Sequence, residues 1–288
     1  MALFITGAAG YVGRHFLKEL PQELLQAALM PDINELDLSD YNQLKDYFTA
    51  HQIDQVFHLA AMLDNRERQA LFDSNVIAIY NLVSICKSFN IRHLTFVSGN
   101  NVYAPNDGTP IKEEAPYGPQ LYNHYGLTKY VGEMIVRDQL DGSNTEYAIV
   151  RIADIYGPQQ RTGALLQAVI GNIVAGKPQK KYGIGDRTRD YIYIDDVARG
   201  LAHVAVNKLS GIFNLATGKG TSVARIIEIA EDLSECREPT IPVSVEHEDH
   251  TKVVLNANKL ATTGFRTKVS IEEGMKEIVK LTKEGKEK

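Results

Sequence analysis

Across 288 residues the chain has no tryptophan and only two cysteines, Cys86 and Cys236. Two isolated thiols make neither a disulfide framework nor a thiolate metal centre, so a reduced, cytoplasmic protein is expected. An excess of basic charge is missing too. The 31 Lys and Arg against 36 Asp and Glu leave a net charge of −5, which offers no footprint for nucleic acid or an anionic membrane. No apolar run reaches the roughly 18 residues that a bilayer-spanning helix needs. The N-terminus has no charged segment ahead of an apolar core, so no signal peptide is expected. The eight histidines show no metal-ligand spacing, and no metal site is expected. The acidic stretch Glu246-His-Glu-Asp-His250 reads as a solvated loop.

What is present begins at the N-terminus. An apolar strand, Leu3 to Ile5, runs into Gly7, Gly10 and Gly13, and a helix is expected from about Tyr11. A glycine turn of this kind brings backbone N–H groups and a helix N-terminus up to a pyrophosphate. Gly7 permits the tight turn, Gly10 the approach of the phosphates, and Gly13 the packing of helix on strand. The spacing is Gly-x-x-Gly-x-x-Gly rather than Gly-x-Gly-x-x-Gly.

Strand-like and helix-like segments then alternate, the pattern of an α/β fold with a doubly wound parallel sheet. Strands are expected at Gln55 to Leu59, His93 to Val97 and Tyr147 to Ile152, and helices at Asn75 to Phe89 and Tyr125 to Leu140. Ser39 or Asp40 is placed to cap a helix running to His51. Past Gly157 the alternation loosens. Residues 1–157 are read as a dinucleotide-binding domain, with elements near 190–216 returning to it, and 158–288 as a smaller interleaved substrate lobe. Asp195 or Asp196 is expected to cap a helix to about Val206.

Tyr125-Gly-Leu-Thr-Lys129 sets a phenol and an ammonium one turn apart on one helix face. A cation beside a phenol favours the phenolate and lowers its pKa from about 10. Such a tyrosine can take a proton from a hydroxyl or return one to a carbonyl. Lys129 can also hold a ribose.

Taken together these residues resemble the extended short-chain dehydrogenase/reductase family, in its nucleotide-sugar epimerase/dehydratase branch. The resemblance runs through Thr6-Gly-Ala-Ala-Gly-Tyr-Val-Gly13, His58-Leu-Ala-Ala61, Val97-Ser-Gly-Asn-Asn-Val-Tyr103 and Tyr125 with Lys129. It continues in Arg151-Ile-Ala-Asp-Ile-Tyr-Gly-Pro158 and Gly183-Ile-Gly-Asp-Arg-Thr-Arg-Asp-Tyr-Ile-Tyr-Ile-Asp-Asp196. It implies a Rossmann-like sheet, NAD or NADP as cofactor, a nucleotide-sugar substrate and a homodimer paired through helices near 75–89 and 125–140. By resemblance Gly7, Gly10, Tyr11, Val12 and Gly13 meet the pyrophosphate, Leu59, Ala60 and Ala61 form the strand end beside the pyrophosphate, and Asp37 and Leu38 flank the adenine. Asn75 and Val97 line the cofactor cleft, and Arg189 grips the substrate diphosphate. Asp32 stands where an acid would hold the adenosine ribose and favour NAD, or else it forms a turn.

Three departures stand out. Only four residues separate Asp32 from Asp37, so one strand of the sheet should be missing there, as in dTDP-4-dehydrorhamnose reductases. Gly99 occupies the place of a Ser or Thr whose hydroxyl assists proton transfer, leaving Ser98 or Asn100 as substitute donors. Asp154 stands for an Asn that helps hold substrate; either Arg151, Arg161 or a bound cation neutralises it, or the substrate head differs and carries a donor-rich group. The expected function is an NAD(P)-dependent epimerase or dehydratase of a nucleotide-linked sugar. A nucleotide 4-keto-sugar reductase and a dinucleotide-binding sensor without turnover are the alternatives.

Overall fold

A computed structural model describes residues 2–64, 66–118, 124–160 and 164–285. In chain order the first elements are β1 (Ala2–Thr6), α1 (Tyr11–Glu19), α2 (Gln22–Gln26), β2 (Ala28–Leu29), α3 (Tyr41–Ala50), β3 (Ile53–His58) and α4 (Arg68–Phe72). After a π-helical turn at Asp73–Ile77 come α5 (Ala78–Ser88), β4 (His93–Gly99), α6 (His124–Leu140), β5 (Glu146–Ile152) and β6 (Asp154–Tyr156). The chain continues with α7 (Ala164–Val174), β7 (Lys180–Tyr182), β8 (Thr188–Tyr193), α8 (Ile194–Asn207), β9 (Gly211–Leu215) and β10 (Gly220–Ser222). Last are α9 (Val223–Leu233), β11 (Ile241–Val243), β12 (Lys252–Val253), α10 (Asn258–Thr262) and α11 (Ile271–Lys283).

Six strands form one parallel sheet in the order β2-β1-β3-β4-β5-β9. Alternate side chains point to opposite faces of a strand, and here both faces are covered. Leu3, Ile5, Phe57, Val97 and Val150 enter one core with Phe16 of α1 and Val197 and Leu201 of α8. Phe4, Val56, Phe96 and Ile149 enter the other, with Leu44 of α3, Leu82 of α5 and Val136 of α6. The sheet is therefore Rossmann-like and doubly wound. Its edge strand β2 has two residues and nothing pairs beyond it among the described residues. The short Asp32 to Asp37 link leaves no chain for a further strand.

Asp40 caps α3, its carboxylate accepting from the Asn42 and Gln43 N–H groups. The helix expected from Asp195 or Asp196 begins earlier, with Tyr193 as its N-cap. Asp196 instead accepts from the Lys268 and Val269 N–H groups and ties α8 to the C-terminal segment. The 75–89 helix is likewise divided, its first residues lying in the π turn. A smaller sheet, β10-β8-β12 with β6 on β8, lies beyond β5, and β11 pairs with β7. The Glu246–His250 stretch folds back onto the 183–186 turn, with Glu248 accepting from the Gly185 N–H and His250 bonded to Asp186.

Candidate active site

The sheet order reverses between β1 and β3, and in doubly wound sheets ligands bind at such a switch point, beyond the carboxyl ends of the strands. Gly7 sits there with φ +72°, and a Cβ on it would stand 2.6 Å from the Ala60 nitrogen. At Gly13 a Cβ would overlap the Gly7 and Ala8 carbonyls. Helix α1 follows with Gly10 as N-cap, no side-chain cap and no acid in its first turn. Its N-terminal dipole is thus left to a ligand anion. Thr6 locks the adjoining strand ends together: its hydroxyl lies 2.8 Å from His58 Nδ1 and accepts from the Ala60 N–H. Burial and the nearby Lys129 charge push the His58 pKa down to about 3. That histidine is a neutral strut, not an acid or base. The cradle of Gly7, Gly10, Tyr11, Val12, Gly13, Leu59, Ala60 and Ala61 fits the pyrophosphate of a dinucleotide.

On the adenosine side the placements are mixed. Asp32 is exposed, and its carboxylate accepts from the Asn34 and Glu35 N–H groups. It forms a turn, as one of its two readings had it. Asp37 accepts from Ser39, and Asn81 holds the Leu38 and Ser39 carbonyls. Asn75 is 2% exposed and bonds Met62 on one side and Thr128 of α6 on the other. It braces the cleft wall from behind.

Tyr125, Lys129 and Glu133 follow at four-residue intervals along one face of α6. Lys129 is 3% exposed and donates to the Val97 carbonyl at 2.8 Å. Its ammonium lies 5.8 Å from the Tyr125 ring centroid and 4.8 Å from that of Phe96. Burial lowers the Lys129 pKa to about 8, against the pull of Glu133. The Tyr125 phenol moves opposite to expectation: burial raises it to about 12. Desolvation of the phenolate is the cause of the rise.

Glu133 anchors a polar network that sequence reasoning missed. Its carboxylate takes Arg151 through Nε at 3.0 Å and Nη2 at 2.6 Å, and Tyr117 at 2.9 Å. Arg151 also reaches Tyr103 and the Glu113 carbonyl. A charged residue at mid-strand in Ile149-Val-Arg-Ile152, and an acid one turn past Lys129, were the available signals. Ser98 belongs here. Its hydroxyl donates to Glu133 at 2.6 Å and is 3% exposed, so it is turned away from the cleft. Arg151 is equally committed and does not neutralise Asp154.

Asn100 and Asp154 do come together, the amide donating to the carboxylate at 2.9 Å. Arg189 brings its Nε to 3.8 Å from Asp154 and otherwise donates to Thr188 and Thr251. Among the described residues the cations acting on Asp154 are Arg189, at 3.8 Å, and Arg187. Arg161 lies outside the described residues. Burial raises the Asp154 pKa, opposed by Asn100 and Arg189.

The model of the NAD dependent epimerase/dehydratase family matches residues 3–216. A UDP-glucuronate 4-epimerase of Thermodesulfobacterium geofontis is 32% identical over 87% of this chain and 79% of its own. A putative UDP-glucose 4-epimerase of Methanocaldococcus jannaschii is 25% identical over 98% of both chains. The Thermotoga maritima UDP-glucose 4-epimerase, solved with UDP-glucose, superposes with a TM-score of 0.82 at 25% identity, covering 99% of each chain.

Proposed function

The chain belongs to the NAD dependent epimerase/dehydratase family and is an NAD-dependent enzyme, and from that premise we propose that it is a cytoplasmic, homodimeric 4-epimerase of a UDP-linked hexose. The observation that carries the reading is the Tyr125–Lys129 pair on α6, the tyrosine half-buried and the lysine buried, with the ammonium fixed against the end of β4 by the Val97 carbonyl. Bound NAD supplies the hydride acceptor and, when oxidised, a positive charge that draws the Tyr125 pKa down from about 12. Tyr125 takes the proton from the sugar hydroxyl being oxidised and returns it to the same oxygen. Lys129, as ammonium, favours the phenolate in between. The glycine cradle holds the pyrophosphate, and Asp32 with Glu35 beside β2 disfavours the further phosphate of NADP. Arg189 exchanges its carbonyl partners for the substrate diphosphate, a task suited to a guanidinium fork.

Epimerisation needs only this one proton carrier. Eliminating water needs a second acid, and the residues after β4 offer the amides of Asn100 and Asn101 instead. The Asp154 carboxyl, with its raised pKa, is the observation that favours dehydration as the second reading. A homodimer is supported by the exposed Tyr80 of α5, at 52%, and Leu127 of α6, at 47%. Such faces bury apolar area when helices pair about a two-fold axis.

Incubation with UDP-glucose, UDP-N-acetylglucosamine and UDP-glucuronate, followed by proton NMR, tests the reading. Appearance of the C4 epimer without loss of water is the expected result. A 4-keto-6-deoxy product transfers the reading to dehydration. No turnover of any of the three overturns it.

A further inference from the structure

Around Gly99, at the carboxyl end of β4, stand three polar residues, and two are already engaged. The Ser98 hydroxyl belongs to Glu133 and the Asn100 amide to Asp154. Asn101 remains. Among the described residues its side-chain amide has no hydrogen-bond partner. Two glycines border it. A Cβ on Gly99 would stand 3.3 Å from Asn101 Oδ1, so the Asn101 amide occupies the space beside Gly99 that a side chain there would enter. On the other side, a Cβ on Gly126 would stand 3.0 Å from the Asn101 Cβ and 2.9 Å from its carbonyl oxygen. Gly126 directly follows Tyr125 on α6. The Asn101 side chain is thus half-buried between the end of β4 and the turn that carries the proton-moving phenol. The atom beside Gly99 is the amide oxygen, and a half-turn about the terminal side-chain bond brings the two N–H donors of the same amide to its place.

We propose that Asn101 is a catalytic residue, donating a hydrogen bond to the reacting sugar oxygen beside Tyr125 in place of the hydroxyl absent at Gly99. The inference rests on the sugar-oxidising reading above. An amide cannot relay a proton as a hydroxyl can, so Tyr125 must contact the oxygen directly. The amide stabilises the negative charge that grows on that oxygen once its proton leaves. Removing a donor of this type costs about 10²–10³ in kcat.

The test uses the full-length, NAD-loaded protein and the UDP-hexose that it turns over. Asn101→Ala and the isosteric Asn101→Asp, each confirmed folded by its melting temperature, should lower kcat about 100-fold with KM little changed. Adding Gly99→Ser to Asn101→Ala should restore most of that loss, a rescue that a merely structural asparagine does not predict. Variants that retain kcat within about twofold of the parent, while Tyr125→Phe is inactive in the same assay, overturn the assignment of Asn101. A parent that turns over no sugar, and so equals its Tyr125→Phe variant, overturns the underlying reading together with it.

Discussion

Replacing Glu133 by Gln leaves the Arg151 guanidinium buried without a counter-charge. Glu133 is 0% exposed and Arg151 1%, so water cannot take the missing role. The carboxylate now accepts from Arg151, Ser98 and Tyr117 together. A glutamine amide keeps one oxygen and must turn an NH2 group toward a donor. Removing one partner of a buried pair costs about 3–5 kcal/mol, and at about 2–4 °C per kcal/mol the melting temperature should fall by about 10 °C. The active site should register the change as well. Glu133 opposes the burial that lowers Lys129 to about 8, so its loss moves that pKa lower still. The ammonium is present below its pKa, so activity that requires it falls as pH rises through about 8. In Glu133→Gln this alkaline limb should lie at lower pH. For stability the sign is opposite: between about 8 and 10.5 the unfolded chain binds the proton that folded Lys129 has lost, so Lys129 makes stability rise with pH there. Differential scanning calorimetry and a pH–rate profile measure both. A loss below about 1 kcal/mol with an unmoved alkaline limb refutes the reasoning, as does failure of Glu133→Leu with Arg151→Met to recover stability.

Gly13→Ala should abolish co-purifying dinucleotide, measured by chromatography of the denatured protein, because its Cβ meets the Gly7 and Ala8 carbonyls. Asp154→Asn removes a carboxylate 3.8 Å from Arg189 that competes with a substrate diphosphate for its charge, while the Thr188 and Thr251 contacts remain; steady-state kinetics should show a lower KM for the UDP-hexose, and an unchanged or higher KM contradicts the assignment of Arg189. Tyr80→Glu combined with Leu127→Glu should give a monomer by light scattering, since both side chains stand exposed on α5 and α6.

Features carried by adjacent residues were the legible ones. The glycine turn, the Asp40 cap and the missing strand all follow from local spacing, because turn geometry and chain length are local constraints. The Tyr125–Lys129 spacing could be read the same way, since a helix fixes the neighbours of each residue. Its electrostatics could not. The rise of the Tyr125 pKa and the fall of that of Lys129 come from burial, a property of everything packed around them. Ser98 was misplaced for a related reason: its partner Glu133 lies 35 residues away, on another element. The pairing of Asp154 with Arg189 depends on β6 lying against β8, in a register that sets Asp154 beside Tyr191. Sequence distance hides such contacts.

The most direct test of the account is the turnover of Tyr125→Phe, measured beside its NAD content and its affinity for the UDP-hexose. If the phenol carries the proton, turnover falls by about three orders of magnitude while both bound molecules are retained. Turnover within about tenfold of the parent, at full NAD content, contradicts it.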